Sequence, residues 1–490
     1  MLTYPAPLVL HRCILILLIL LSLAGLSSCS SARSYYARID RAVAAGHAGE
    51  GIEIVERNQS FYGSRSQVLY LMDLGMLQHV AGQFEQSNQS LAKAEELTEA
   101  LYTRRISSEA EAFLTTDNAL SYEGEAFEKV MLNVIMAMNY AQLGMLDDAL
   151  VEARKVDHKL SVLSDRNGRK MTYSKDPLAR YVTGILYEAE GNLSDALVAY
   201  RLALDAFQYA RKIYGTPVPE LLQRDLLRLS EALGLSDEHE EYRRQFPRTT
   251  WKRAAETKDL GELIFVAYEG RAPLKQDVFI DVPISRDALA VVLATKGVVS
   301  PYYNDHRAAQ SVLYGLTGHI IRIAVPKFVP RRTHISLTEA SAVAAGTHYE
   351  ARLTLMKDVT AIAVQDLDER IVRTTAKAVA RAAWKYALAE GVRVGVRQGV
   401  GRDKDAGQIL GVIAGILAHT LAIASEEADK RSWATLPDRI QLGRVMVPPG
   451  TYDIEFHYAG VRSDHVAQQI MRRVTIMPGE KRFITTRVIQ

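Results

Sequence analysis

Cysteine is nearly absent: the 490-residue chain has two, Cys13 and Cys29, and both sit close to the N-terminus. From Ser30 to Gln490 there is none, so no disulfide can form within that stretch. Neither sign of charge is in excess, since 59 Lys and Arg stand against 57 Asp and Glu, a formal net +2. A nucleic-acid partner would call for a basic patch or stripe, and the balance offers none. Motifs of catalysis are missing too. There is no G-x-S-x-G turn for a serine nucleophile, no H-E-x-x-H helix for zinc and no G-K-[ST] phosphate loop. "GVGRDK" at 399–404 has Lys404 where a dinucleotide fingerprint needs its third glycine. The 12 histidines are scattered, and His457 and His465 have no adjacent third ligand. No cofactor, metal or catalytic residue is expected. An enzyme stays open only through carboxylates that folding brings together.

One long apolar run is present, "CILILLILLSLAGL" from Cys13 to Leu26, after the weakly basic His11 and Arg12. A membrane-spanning helix needs ~20 apolar residues, so this run suits a signal-peptide core instead. Leu26-Ser27-Ser28-Cys29 then resembles a bacterial lipobox. The resemblance implies cleavage before Cys29, a diacylglycerol on its thiol and an acylated amine. Residues 1–28 would be the leader and 29–34 a lipidated tether. A thioether would also remove a free thiol from an oxidising space, and several acyl chains hold far more firmly than one. Ser30 stands where enterobacterial lipoproteins kept at the inner membrane carry aspartate. The expected address is therefore the outer membrane, with the body facing the periplasm. An ordinary secretory leader with an incidental Cys29 is the alternative.

From Tyr35 to about 250 the chain has helical periodicity. Three stretches are self-similar: one with Gly75, Gly82, Phe84, Leu91 and Ala94, and one with Ala137, Tyr140, Gly144, Leu146 and Ala149. The third has Gly184, Tyr187, Gly191, Leu193, Ala196 and Tyr200. This resembles the tetratricopeptide repeat, in which a small residue sits at a helix crossing, an aromatic follows and a glycine makes the turn. A generic helical bundle is the alternative. Either way the region, 35–250, is a stacked-helix surface of the kind that binds proteins or peptides. Tyr140 and Tyr187 are expected at helix crossings, and an exposed concave face is expected to take the partner. "SDEHEEYRRQF" (236–246) reads as a solvated helix face.

Beyond about residue 258 the pattern turns to strands: 262–268, 277–284, 319–326, 334–340 and 350–356. Short helices are expected at 285–297 and 308–318. Residues 367–428 read as a helical hairpin with small-residue stripes, Ala376, Ala380, Ala383 and Ala387 on one helix and Gly407, Gly411 and Gly415 on the other. The uncharged stretch 406–425 reads as a core hairpin, with packing between subunits and membrane insertion as alternatives. Residues 436–490 read as a C-terminal β-sandwich-like module, in which "GTYDIEFHY" alternates cleanly. "VPKFVPRRTH" (325–334) reads as an exposed basic loop. The expected fold class is α+β: a TPR-like helical domain, a β-rich domain at 258–360, the hairpin and the C-terminal module.

The lipobox, the TPR-like half and the block "DKRSWATLPDRIQLGRVMVPPGTYDI" (429–454) together resemble a family of uncharacterised proteobacterial TPR-like lipoproteins. Such proteins are often encoded beside a lipoprotein activator of penicillin-binding proteins, which implies work linked to peptidoglycan. The expected role is an interaction scaffold for envelope proteins. An oligomeric envelope or secretion component packed through 406–425, and a glycan-binding or glycan-acting protein, are the competing readings.

Overall fold

The computed structural model describes residues 31–107, 120–165, 175–283, 320–371, 374–375, 428–460 and 465–490. Cys29, the leader, both small-residue stripes, the 406–425 helix and the two helices expected at 285–318 lie outside these residues.

Ten helices form five consecutive hairpins among the described residues: α1 (Ser31–Ala44) with α2 (Ala48–Arg57), and α3 (Gln67–Val80) with α4 (Phe84–Ser107). Next come α5 (Ala126–Gln142) with α6 (Leu146–Asp165), α7 (Pro177–Ala189) with α8 (Leu193–Tyr214), and α9 (Glu220–Ala232) with α10 (Ser236–Gln245). One turn joins them all. Gly46, Gly82, Gly144, Gly191 and Gly234 have φ between 69° and 80°, a region that a Cβ disfavours. In each, the N–H after the glycine donates to a carbonyl in the last turn of the helix before it. The pairs are His47 to Ala42, Gln83 to Gln78, Met145 to Tyr140, Asn192 to Tyr187 and Leu235 to Ser230, at 2.9–3.0 Å. The sequence reading found three of these five units. Gly46 and Gly234 make the same turn without a small residue at the matching crossing, where Ile39 and Leu227 stand.

Those small residues do what the repeat pattern requires. A Cβ on Gly75 would lie 2.6 Å from Leu91 Cδ2, and one on Gly184 would lie 2.3 Å from Tyr200 Cε1. Ala149 and Ala196 are fully buried on the second helices. Helix α1 begins at Ser31, so the end of the expected 29–34 tether is already helical. Tyr35, Ile39, Ala42 and Val43 bury one side of that helix and explain why it forms.

The strands are β1 (Gly261–Glu269), β2 (Leu274–Pro283), β3 (Ile320–Val329), β4 (Ile335–Ala344), β5 (Thr347–Arg352) and β6 (Thr354–Asp358). After a helix at 359–371 follow β7 (Arg439–Val447), β8 (Gly450–Gly460), β9 (His465–Ile476) and β10 (Lys481–Val488). One sheet has the order β10-β1-β7-β6, with β1 parallel to β10 and antiparallel to β7. A second, all antiparallel, has the order β5-β4-β8-β9, and β2 and β3 form a separate ribbon.

The two four-stranded sheets share a core of Leu263, Phe265, Ala340, Ile454, Phe456 and Ile484, with the Phe265 and Phe456 rings edge to face at 5.6 Å. The opposite face of the first sheet packs against the helices. Strand β1 therefore has both faces buried and reads as a continuous apolar run after Glu262. The order of layers is helices, sheet, sheet.

Several expectations are corrected here. Strands from 258–360 and 436–490 share both four-stranded sheets, two from each region in each sheet, so no sheet boundary separates a β-rich domain from a C-terminal module. The single strand expected at 350–356 is two strands, β5 and β6, which leave for different sheets on either side of the buried Leu353. Residues 325–334 are not an exposed basic loop. Val325 and Phe328 are buried, Arg331 bonds Asp40 and the Ala272 carbonyl, and Arg332 pairs with Asp358 and Asp438.

Candidate functional site: the interface between helices and sheet

The first helices of the hairpins make one face of the array, and that face is covered. Helices α1, α3 and α5 pack against β10 and α7 packs against β6. Their core is continuous with Ile264, Val266, Tyr268, Ile440, Leu442 and Phe483 of the sheet. Helix α5 is buried at nearly every position from Ala126 to Asn139, an all-round burial that an open repeat surface would not have. A partner cannot reach this face without displacing the chain's own strands or residues 428–438, which also cover it. The second helices instead face outward, leaving Leu97, Val151, Val198 and Leu202 exposed.

At the C-terminal end of the interface, Arg444 of β7 enters the array. Its Nε and Nη2 donate to Glu262 of β1 at 2.7 Å each. Nη2 also reaches Glu188 Oε2 of α7 at 3.0 Å, and Nη1 reaches Asp225 Oδ2 of α9 at 2.5 Å. Arg228 bonds Glu188 and Asp225, and Lys481 of β10 bonds Glu262. Tyr200 and Tyr181 donate to Glu188 and Asp225 at 2.6 and 2.7 Å. Three carboxylates meet three cations, all nearly inaccessible to water. Burial alone would raise the Glu188 and Glu262 carboxyls, but Lys481, Arg228 and Arg444 more than offset it and hold both below their ordinary range. All six carboxylate oxygens already accept a hydrogen bond, so the cluster offers no oxygen to a substrate or metal.

Nearby, Lys357 of β6 bonds Asp176, and both side chains are fully buried. Asp176 also caps α7 by accepting from Ala179 N at 3.0 Å. Burial lowers the Lys357 ammonium, and Asp176 restores part of the loss.

At the N-terminal end Glu125 of α5 is paired with Lys275 and Arg370, whereas two further carboxylates have neutral donors. Asp73 of α3 accepts from Tyr36, Tyr62 and Thr435 hydroxyls, each at 2.8 Å. Burial pushes its carboxyl up to about 6 against the pull of those donors. Glu128 of α5 accepts from Tyr122 at 2.5 Å and from the N–H groups of Trp433 and Glu125 at 2.7 and 2.8 Å. Burial, then the neighbouring Glu125 charge, raises it as well. His79 lies between Asn139 at 2.5 Å and the Tyr268 hydroxyl at 3.0 Å, and burial lowers its imidazole to about 4. Among the described residues, no group of three His, Cys, Asp or Glu side chains is placed to hold a metal ion. None of their helices is long and apolar enough to cross a membrane.

Of the repeat residues singled out from sequence, Tyr200 reaches the Arg444 cluster through Glu188, and the glycines and alanines build the hairpins. Tyr140 and Tyr187 are half-buried at the margin of the interface, where Arg154 donates to the Tyr187 hydroxyl at 3.1 Å. Cys29, Ala376, Ala380, Ala383, Gly407, Gly411 and Gly415 lie outside the described residues. The interface residues went unread; Arg444 alone leaves a trace, as the single charge inside the stretch IQLGRVMV (440–447).

No protein-family model matches the chain, and no curated protein matches it. Several solved structures are similar to it over the helical region. One is MamA, 14% identical, covering 43% of this chain and 93% of MamA with a TM-score of 0.27. MamA from Desulfovibrio magneticus RS-1 is 12% identical, covering 44% of this chain and 92% of that one, with a TM-score of 0.28. A Podosopora anserina putative kinesin light chain with nearly identical TPR-like repeats is 16% identical, covering 44% and 92%, with a TM-score of 0.26. Apart from these neighbours, the five like glycine turns describe a stack of helical hairpins from within the chain itself.

Proposed function

We propose that this protein is a lipid-anchored scaffold of the bacterial outer membrane, facing the periplasm, that docks other envelope proteins during assembly or maintenance of the envelope. The observation that carries the reading is the division of the array into two faces. The first-helix face is spent on the chain's own sheet, which stiffens the stack, while the second helices leave a long, repeated surface open. Between α8 and α10 that surface forms a groove of about 1110 Å³ lined by Leu204, Gln208, Glu238, Glu241, Tyr242 and Gln245. The lipobox-like sequence at Cys29 supplies the address, and the resemblance to lipoproteins encoded beside a penicillin-binding-protein activator points toward peptidoglycan synthesis.

In-cell crosslinking from α6 and α8, followed by mass spectrometry, tests the docking role. Reproducible capture of envelope proteins is expected, and capture of none would remove it. Cys29→Ala tests the address: uncleaved precursor is expected, and normal processing with outer-membrane fractionation would overturn the anchor.

A further inference from the structure

Residues 428–438 cross the interface with no helix or strand of their own, yet Ser432 to Asp438 are buried. Connecting segments ordinarily run over the surface, because a buried one carries backbone groups that need partners. Here the partners come from both the array and the sheet side, where the Asp438 N–H donates to the Glu269 carbonyl at 2.8 Å and the Ala272 N–H donates to the Leu436 carbonyl at 2.9 Å. Glu128 receives the Trp433 N–H at 2.7 Å, and Asp73 receives the Thr435 hydroxyl at 2.8 Å. Arg431 lies 5.3 Å from the Tyr122 ring centre and donates to the Arg65 carbonyl at 3.2 Å. Trp433, 1% exposed, is anchored in the core that the first helices share with the sheet. From the other side, Arg487 donates to the Thr435 and Leu436 carbonyls at 3.4 and 3.3 Å.

A buried aromatic anchor followed by a turn and flanked by side-chain hydrogen bonds is how a surface holds a docked peptide. The fit is incomplete, since Ser432 Oγ and Trp433 Nε1 are buried without a partner. Such atoms weaken a contact, because a buried polar group without a partner keeps its desolvation penalty. Strand β7, which follows directly, is instead paired along its length with β1.

We infer that residues 428–438 are a tethered peptide ligand of the helical array, occupying in cis a groove that also accepts, in trans, a peptide with a tryptophan between arginine and threonine. This rests on the reading of the array as a docking device and names the chemistry its covered face selects. Tethering holds the cis segment at an effective concentration of about 1 mM, so a free peptide of micromolar affinity is outcompeted by about 10²–10³-fold. The groove is closed until the strap lifts.

The test uses the full chain, purified in detergent, and a fluorescein-labelled synthetic peptide of residues 428–438. Wild type should bind the peptide weakly in an anisotropy titration. A Trp433→Ala, Thr435→Ala variant should bind it at least about tenfold more tightly, and a peptide with alanine for tryptophan should lose that gain. No gain in a folded variant, or equal binding of both peptides, overturns the inference. If the variant fails to fold, hydrogen exchange on the wild type decides. Amides at 429–436 should exchange about tenfold faster than those of β7, and equal protection overturns the strap. Peptide binding without captured envelope partners would sink the scaffold reading alone. Captured partners without peptide binding would sink this one alone.

Discussion

Two clusters at the ends of the interface bury carboxylates by opposite means. At the C-terminal end Glu188, Asp225 and Glu262 are matched by Arg228, Arg444 and Lys481. At the N-terminal end Asp73 and Glu128 receive hydroxyl and N–H donors. Cations stabilise the ionised form and pull the proton off. Neutral donors do not fully offset desolvation, so the proton is held more tightly than in water. One end is therefore a charge clasp, rigid while every member is present. The other is a seat whose charge changes near neutral pH, and residues 428–438 lie in it.

The clasp should break most severely. Arg444→Met leaves three buried carboxylates facing two cations, and unbalancing a buried ion cluster costs about 3–5 kcal/mol. Denaturant unfolding should show a loss of that size. A loss under about 1 kcal/mol would mean that water reaches the cluster and that the ends are not distinct.

The matching glycines of the two ends sharpen the contrast. Gly184→Ala drives a methyl into the Tyr200 ring, which cannot swing because its hydroxyl is bonded to Glu188 at 2.6 Å. Overpacking of this kind costs about 1–3 kcal/mol. Gly75→Ala meets Leu91, whose side chain turns more freely, while alanine gains about 1 kcal/mol of helix propensity over glycine. Melting should show Gly184→Ala as the more damaging change. Equal losses would show that the clasp does not restrain Tyr200.

Acidification separates the ends by sign. The Asp73 carboxyl is raised to about 6 from an ordinary 3.8. Its contribution is fully present below that ordinary value and is lost as pH rises through about 6. Glu262 is lowered, so its contribution is present above the ordinary glutamate value and is lost as pH falls below it. His79 masks the first effect in the whole curve. Its imidazole is lowered to about 4, so its contribution is present above the ordinary 6.5 and is lost as pH falls toward 4. Difference measurements isolate each group. Relative to Asp73→Asn, wild type should gain about 1–2 kcal/mol between pH 7.5 and 5. Its advantage over Glu262→Gln should hold over that range and shrink in more acid solution. A flat Asp73→Asn difference would show that the seat is wet.

Legibility in the sequence follows how local each constraint is. Gly82, Gly144 and Gly191 were readable because a left-handed turn between two periodic stretches restricts residue type on the spot. Strand β8 was readable because its alternation reports one buried and one half-open face. Strand β7 was not, since Gln441 and Arg444 interrupt its apolar pattern and find their partners only after the chain has folded. The parallel pairing of Glu262 with Lys481 joins the first and last strands and leaves no local trace. The covered face could not be inferred from the repeats, because burying their first helices depends on a sheet assembled from strands before and after residues 376–427.

The smallest effect on stability is expected on the outer face, beyond both ends of the interface. Val198 and Leu202 lie on one side of α8, 47% and 40% exposed, so little packing is lost when their outer atoms are changed. Lysine has a better helix propensity than valine and keeps its charge in water while its stem covers the same surface. Val198→Lys with Leu202→Lys should therefore leave unfolding within about 0.5 kcal/mol of wild type. Docking would respond differently, because two ammonium groups placed in an apolar contact must be desolvated for a partner to seat. The expected result is an unchanged melt with crosslinked partners lost from α8. Unchanged capture would clear this patch of the docking role. A large fall in stability would mean instead that α8 carries an intramolecular contact on this side, and that the open face is smaller than the exposure of its side chains indicates.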